Sequence, residues 1–199
     1  VMAAWNYPYY TLLGPVAQNI AAGNCVVIKP SELSPNCSMG MTKVCEKYLD
    51  SKFFKVIQGK GEVAKKLTSM KFDMFCFTGS TQKGKLVAEA AGRNLVPCVL
   101  ELGGKSPAII DETADATLAA KKVLFGKMPN LGQVCIAPDY IMCHESKVEE
   151  FMASLKHNLE NAYGNCEKPD DSGKMINEFH YNRLCDMFEG HGGEVVIGN

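Results

Sequence analysis

The chain has no excess of either charge and no long apolar run, and these two shortages limit its partners. Its 199 residues include 21 lysines and arginines against 22 aspartates and glutamates, for a net charge of -1. So balanced a surface lacks the field that steers proteins onto nucleic acid or anionic membranes. No stretch approaches the roughly 20 apolar residues of a membrane-spanning helix, and the opening segment lacks the basic start of a signal peptide. We therefore expect a soluble protein with no nucleic-acid partner.

Paired cysteine motifs are also missing. The nine cysteines are odd in number and scattered along the chain, and none stands in a C-x-x-C pair. This pattern argues against a disulfide framework and against a structural zinc site, because both need paired cysteines. We expect reduced thiols, a cytoplasmic location and no metal.

What the chain does have is an alternation of short apolar strands with amphipathic helices, in a sequence that is 46% hydrophobic. Such alternation is typical of an α/β fold, a Rossmann-like parallel sheet with helices on both faces. The closing run GGEVVIGN predicts a glycine loop that leads into one more strand. The other strands are predicted at 25–28, 53–57, 72–77, 96–102, 107–110 and 140–143, and the helices at 12–22, 34–49, 62–70, 81–91, 114–125 and 147–163.

Several polar residues follow predicted strands, where parallel sheets bind ligands. Gly79 and Gly84 flank a strand-to-helix turn, and glycine there lets backbone amides approach a pyrophosphate. The usual dinucleotide fingerprint has a middle glycine, which is Thr81 here, so a plain turn is an equal alternative. Lys29 and Glu32 stand in a proline-fixed turn that is able to bracket a ribose, although a solvated charged loop is the commoner origin of such a pair.

Three residues are candidates for the chemistry itself. Glu101 ends an apolar strand, a setting that suits a general base, although a salt-bridged glutamate fits the pattern too. Cys135 lies in a polar, glycine-containing loop, which gives a nucleophilic thiol the access it needs, whereas most single cysteines are structural. Asn6 carries an amide able to donate to a developing oxyanion, and a turn residue before Pro8 is the alternative.

Taken together, these segments resemble the aldehyde dehydrogenase superfamily, and most closely its class 3 or fatty-aldehyde branch. The motifs stand in the family's order and extend over nearly the whole chain. They are W-N-Y-P at Trp5–Pro8, I-K-P-S-E at Ile28–Glu32, F-T-G-S at Phe77–Ser80, L-E-L-G-G-K-S-P at Leu100–Pro107, and N-x-G-Q-x-C-x-A-P-D-Y at Asn130–Tyr140.

The resemblance implies NAD(P)-dependent oxidation of an aldehyde to a carboxylate, with no role for a metal. Cys135 would attack the carbonyl, while Asn6 and the Cys135 backbone amide hold the oxyanion. Glu101 would activate the water that hydrolyses the resulting thioester. The longer parent protein is expected to be a homodimer, with membrane contact only through a tail beyond residue 199. The implied contacts to NAD or NADP are Lys29, Glu32, Gly79, Ser80, Leu102 and Gly103.

The chain also departs from the family pattern. Pro129 precedes the thiol loop and predicts extended backbone at Met128, and Lys83 stands in the phosphate turn. The family chain is more than twice as long, and both ends of this one look interrupted, so we expect a fragment. Residues 1–101 predict a partial NAD(P)-binding domain and residues 102–199 the first part of a catalytic domain. The alternatives to an active enzyme are a truncated, catalytically inactive nucleotide-binding remnant and a product without a stable fold.

Overall fold

The computed structural model describes residues 1–164 and 173–197, which divide between two compact units. The first unit is Val1–Gly103 and the second is Gly104–Asn199. The sequence predicts a domain boundary after residue 101, and the structure divides after residue 103.

Helices alternate with short strands throughout the first unit. Prolines set where two of the helices begin: Pro8 and Pro35 each stand in a first turn, where the missing amide costs no hydrogen bond. The helices are α1 Pro8–Ala21, α2 Pro35–Tyr48, α3 Gly61–Thr68 and α4 Thr81–Arg93, and the strands are β1 Val26–Ile28, β2 Phe54–Val56, β3 Phe75–Gly79 and β4 Cys98–Leu102.

One residue joins two pairs of parallel strands into a single sheet. β1 pairs with β2, and β3 pairs with β4. Met2 forms parallel bridges to Lys29 on one side and to Phe77 on the other. Its amide donates to the Cys76 carbonyl at 2.8 Å, and its carbonyl accepts from the Thr78 amide at 3.0 Å. The spatial order is therefore β2, β1, the Met2 segment, β3 and β4, which is the strand order of a Rossmann sheet.

Helices cover both faces of this sheet, as the sequence predicts. Partners in a parallel ladder point to the same face, and neighbours along a strand point to opposite faces. Met2 and Phe77 thus share one face, and Ile28, next to Lys29, points to the other. The face of Ile28 packs against α1 and α2, and the face of Met2 packs against α3 and α4. The first core contains Leu12, Val16, Val26, Ile28, Met41 and Cys45, and the second contains Met2, Phe75, Val87, Ala91 and Val96.

The second unit has its own parallel strand pair and its own core. Ala116 and Ala120 are fully buried against a core that includes Phe151, and their small side chains let two helices pack closely. Asp115 caps the first of these helices by accepting from the Leu118 amide at 2.9 Å. The strands are β5 Ser106–Ile110 and β6 Pro138–Cys143, and the helices are α5 Ala116–Lys127, α6 Val148–Tyr163 and α7 Glu178–Glu189, with a short 3-10 helix at Glu145–Lys147 and a tight turn with left-handed residues at Pro129–Gly132.

Three details of the second unit differ from the sequence predictions. Helix α7 was not predicted, because none of its residues is buried and its apolar pattern is weak. The strand predicted from GGEVVIGN, residues 192–199, is wrong for residues 192–197, which form no strand, and positions 198 and 199 lie outside the described residues. Extended backbone at Met128 is also wrong: its φ of −73° and ψ of −32° are helical, because the chain runs from α5 directly into the turn at Pro129–Gly132.

Gly84 allows α4 to approach the sheet, and a larger residue there is expected to lower stability. A Cβ on Gly84 would lie 2.6 Å from Cδ2 of Leu102, whereas one on Gly92, in the same helix, meets nothing within 4 Å. Gly84→Val should therefore lower the free energy of unfolding by about 1–3 kcal/mol through overpacking. In thermal unfolding this corresponds to about 2–4 °C for each kcal/mol. The matched variant Gly92→Val should shift the melting temperature much less, and equal shifts would refute the packing role.

Candidate active site

The centre of the first sheet has the geometry of a ligand-binding crevice. The chain leaves the Met2 segment through α1 on one face and returns as β1, whereas it leaves β3 through α4 on the other face and returns as β4. Open α/β sheets bind ligands where the strand order reverses in this way, beyond the carboxyl ends of the strands. Asn6 lies just before α1, and Gly79 and Ser80 lie at the start of α4, so three predicted site residues flank this point.

Ser80 and Gly79 shape the beginning of α4. Ser80 is the N-cap, and its Oγ accepts from the Lys83 amide at 3.3 Å. The other amides of the first turn remain available, with the positive end of the helix dipole, for an anion such as a pyrophosphate. Gly79 leaves room for the Phe77 ring, since a Cβ there would lie 2.6 Å from Cζ of Phe77. The Lys83 side chain is exposed.

Lys29 and Glu32 form an ion pair at the carboxyl end of β1. Lys29 is only 5% exposed, and its Nζ lies 3.0 Å from Oε2 of Glu32 and 3.1 Å from the Pro30 carbonyl oxygen. A solvated charged loop therefore does not describe Lys29. Burial acts to raise the pKa of Glu32, but backbone hydrogen bonding and the charges of Lys29 and Lys60 outweigh it and hold the pKa below its ordinary value. The Glu32 carboxylate is thus ionised at neutral pH.

Glu101 lies on β4 opposite Thr78 of β3, and its side chain is exposed. The next register position pairs Leu102 with Gly79. The ends of β3 and β4 therefore bring three predicted site residues, Gly79, Glu101 and Leu102, close together. Burial raises the pKa of the Cys76 thiol, and the negative charge of Glu101 raises it further. Because the Glu101 side chain is exposed at the end of its strand, a water molecule can reach it.

Thr11 supports the segment that carries Asn6, a role that the sequence pattern did not reveal. The Thr11 hydroxyl lies 3.2 Å from both the amide nitrogen and the carbonyl oxygen of Ala4, and it donates to the Tyr7 carbonyl at 3.0 Å. A hydroxyl in the first turn of a helix often bonds the preceding backbone in this way. Asn6 itself is partly buried.

Cys135 lies on an irregular loop of the second unit, with its side chain exposed. It occupies a turn in which the Ala137 amide donates to the Val134 carbonyl at 3.2 Å. A Cβ on Gly104, from the L-E-L-G-G motif, would lie 3.8 Å from the Cys135 carbonyl oxygen. Of the cysteines in the described part of the chain, Cys25 alone is exposed like it. An accessible thiol in a loop fits the requirement of a nucleophile.

The predicted site residues fall into the two units unequally. The first unit holds Asn6, Lys29, Glu32, the glycine turn and Glu101, and the second holds Cys135.

Within residues 1–164 and 173–197, no three histidine, cysteine, aspartate or glutamate side chains gather in a way that would hold a metal ion. Across the same ranges, no helix is both long and apolar enough to cross a membrane.

Comparison with known proteins identifies the family to which this sequence and fold belong. Residues 1–199 match the profile of the aldehyde dehydrogenase family. The chain belongs to the aldehyde dehydrogenase family. The resemblance predicted from the five motifs is thus confirmed, and relatives of the class 3 branch are among the most similar proteins.

Two relatives and two solved structures illustrate the similarity. The 4,4'-diaponeurosporen-aldehyde dehydrogenase of Staphylococcus aureus is 41% identical over 199 residues, covering 100% of this chain and 43% of that protein. Aldehyde dehydrogenase family 3 member A2 of Macaca fascicularis is 41% identical, covering 100% of this chain and 41% of that one. The substrate-bound structure of Staphylococcus aureus AldH superposes with a TM-score of 0.93 at 40% identity, covering 100% of this chain and 44% of that one.

A 3,6-anhydro-L-galactose dehydrogenase, solved in complex with NAP, superposes with a TM-score of 0.88 at 28% identity, covering 99% of this chain and 43% of that one. The family uses NAD or NADP, and its named members are oxidoreductases that act on aldehydes. The chain spans less than half the length of these relatives.

Proposed function

We propose that this aldehyde dehydrogenase chain takes part in NAD(P)-dependent oxidation of an aldehyde to a carboxylate through a thiohemiacetal and a thioester on Cys135. The observation that carries the proposal is an exposed cysteine in the N-x-G-Q-x-C loop, in the same chain as a Rossmann sheet. The thiol offers a nucleophile and the sheet offers a dinucleotide site. A relative's name describes a dimeric, NADP-preferring enzyme, which supports a homodimer for the longer protein.

The first unit fits a dinucleotide. Gly79 and Ser80 would receive the pyrophosphate, because their turn opens α4 and leaves amides of its first turn to bind an anion. Lys29 and Glu32 would hold the adenosine ribose, with the ammonium donating and the carboxylate accepting hydrogen bonds. Leu102 and Gly103 lie at the end of β4 and would line the nicotinamide side. Bound NAD(P)+ supplies the hydride acceptor.

The side chains of the protein carry the remaining steps. The thiolate of Cys135 attacks the aldehyde carbonyl, and the carbonyl electrons move to oxygen. The Asn6 amide and the Cys135 backbone amide donate to that oxyanion. After oxidation to the thioester, Glu101 takes a proton from water as it attacks the acyl carbon, and the Cys135 thiolate leaves with the electron pair. Glu101 also suits a second role, deprotonating the thiol before attack.

The decisive experiment is reduction of NAD+ and of NADP+ by this chain in the presence of a medium-chain aliphatic or an aromatic aldehyde. Aldehyde-dependent formation of NADH or NADPH supports the proposal. Cofactor binding in calorimetry without any reduction would favour the alternative, a catalytically inactive nucleotide-binding remnant. Absence of both binding and reduction would overturn both.

Removing the charge of Glu32 is expected to change the cofactor preference. Its ionised carboxylate would repel the 2′-phosphate of NADP+, whereas the neutral amide in Glu32→Gln still accepts from Lys29. We expect the ratio of the dissociation constants, NADP+ over NAD+, to fall by about tenfold, which corresponds to ~1.4 kcal/mol. Glu46 is exposed in the last turn of α2, where the chain returns to the amino end of β2. The matched variant Glu46→Gln should leave the ratio of dissociation constants unchanged. An unaltered ratio in Glu32→Gln would remove Glu32 from the ribose site.

A further inference from the structure

The loop that carries Cys135 has a backbone conformation that one of its residues, Leu131, does not favour. Asn130, Leu131 and Gly132 are all left-handed, with φ of 52°, 54° and 70°. Glycine adopts this conformation freely and asparagine tolerates it, but in leucine the Cβ crowds the following carbonyl oxygen. Three left-handed residues in succession therefore require support from outside the turn.

Gln133 supplies that support through both ends of its side-chain amide. Its Nε2 donates to the Asn130 carbonyl at 2.9 Å and to the Lys174 carbonyl at 3.3 Å. Its Oε1 accepts from the Ile176 amide at 3.1 Å. Asn130 in turn donates from Nδ2 to the Gln133 carbonyl at 3.3 Å. One side chain thus connects the left-handed turn to backbone groups 41 and 43 positions further along the chain.

We propose that Gln133 is a positioning residue for Cys135, and that segment 174–176 is the anchor through which it acts. The turn that presents the thiol begins at Val134, the residue after Gln133. Fixing the Gln133 backbone therefore fixes the direction in which the chain enters that turn. The inference deepens the proposed function, because it rests on Cys135 as the nucleophile.

Hydrogen exchange tests this connection without any turnover. Gln133→Ala removes the side-chain hydrogen bonds to Asn130, Lys174 and Ile176, so the amides of Ile176 and Ala137 should both exchange at least about tenfold faster, while the amides of α6 keep their rates. Gln18→Ala, an exposed glutamine in α1, is the matched control and should change neither amide. An unchanged rate at either Ile176 or Ala137 would overturn the proposal.

Steady-state kinetics then tests the effect on the thiol. Gln133→Ala should lower kcat by about tenfold and leave the KM for the cofactor within about twofold, because the cofactor contacts belong to the first unit. Adding Leu131→Gly should restore part of kcat, since glycine is left-handed without crowding. An unaltered kcat despite faster exchange would refute the positioning role. If the unsubstituted protein oxidises no aldehyde, the proposed function fails, and the exchange rates alone decide whether Gln133 orders the loop.

Discussion

Cys135→Ser is expected to lower the rate of aldehyde-dependent NADH formation by at least about 10³-fold, or about 4 kcal/mol in the activation barrier. The thiolate is the attacking species, and a thiol gives up its proton far more readily than an alcohol does. A serine hydroxyl in the same place is almost wholly protonated and is a poor nucleophile without a dedicated base. The acyl-enzyme step should therefore fail, while NAD+ affinity stays unchanged.

Cys25→Ser is the matched control for that experiment. Cys25 is the other exposed cysteine of the described chain, and it lies at the amino end of β1, away from the edge where ligands bind. It should retain the full rate. Alkylation with iodoacetamide, followed by mass spectrometry of the modified peptide, should also link loss of activity to Cys135. Unimpaired turnover in Cys135→Ser would refute covalent catalysis by this thiol.

The alternation of elements could be predicted from the sequence because each helix and strand has its own local pattern. Ser34-Pro35 marked the start of α2, and Thr81 was the predicted and observed first residue of α4. The predicted boundary of a strand was wrong where an aromatic residue precedes it: the prediction was 72–77, and β3 is Phe75–Gly79. Phe72 was predicted to lie in a strand, but its ring instead packs edge-on against Phe75, with centroids 5.5 Å apart.

Other features depend on contacts between distant residues, which a local pattern does not encode. Met2 completes the sheet with a single bridged residue on each side, too short for any periodicity. Lys29 is buried, although a lysine between a strand and a proline predicts a solvated loop. Leucine is not a residue that predicts left-handed backbone, so the conformation of Leu131 is not evident from the sequence. The Gln133 side chain that supports this turn bonds to residues far along the chain.

Site residues that belong to short local motifs could be predicted from the sequence, whereas those that act through hydrogen bonds to other segments could not. The glycine turn and the Lys29–Glu32 pair are short in sequence, so their geometry was accessible to local reasoning, and the structure shows the ion pair directly. Thr11 and Gln133 act on the backbone of neighbours, and only the hydrogen bonds identify them. The roles of Glu101 and Cys135 stay predictions that kinetics must test.

Glu101→Gln should separate the two halves of the reaction. If the carboxylate activates the hydrolytic water, the first turnover still forms one NADH per site in a burst, and the steady rate falls by about 10²–10⁴-fold because the thioester persists. Glu160→Gln, an exposed glutamate of α6, should show neither effect. A burst slowed as much as the steady rate would instead assign Glu101 to deprotonation of the thiol.

Hydroxylamine sharpens this distinction, because it attacks a thioester without a general base. In Glu101→Gln it should restore the steady rate of NADH formation and yield the hydroxamate, since it replaces the water that the carboxylate would have activated. A thiol that cannot ionise would gain nothing from hydroxylamine, because no thioester forms. Rescue therefore places Glu101 after hydride removal, and failure of rescue together with a slow burst places it before the attack on the aldehyde.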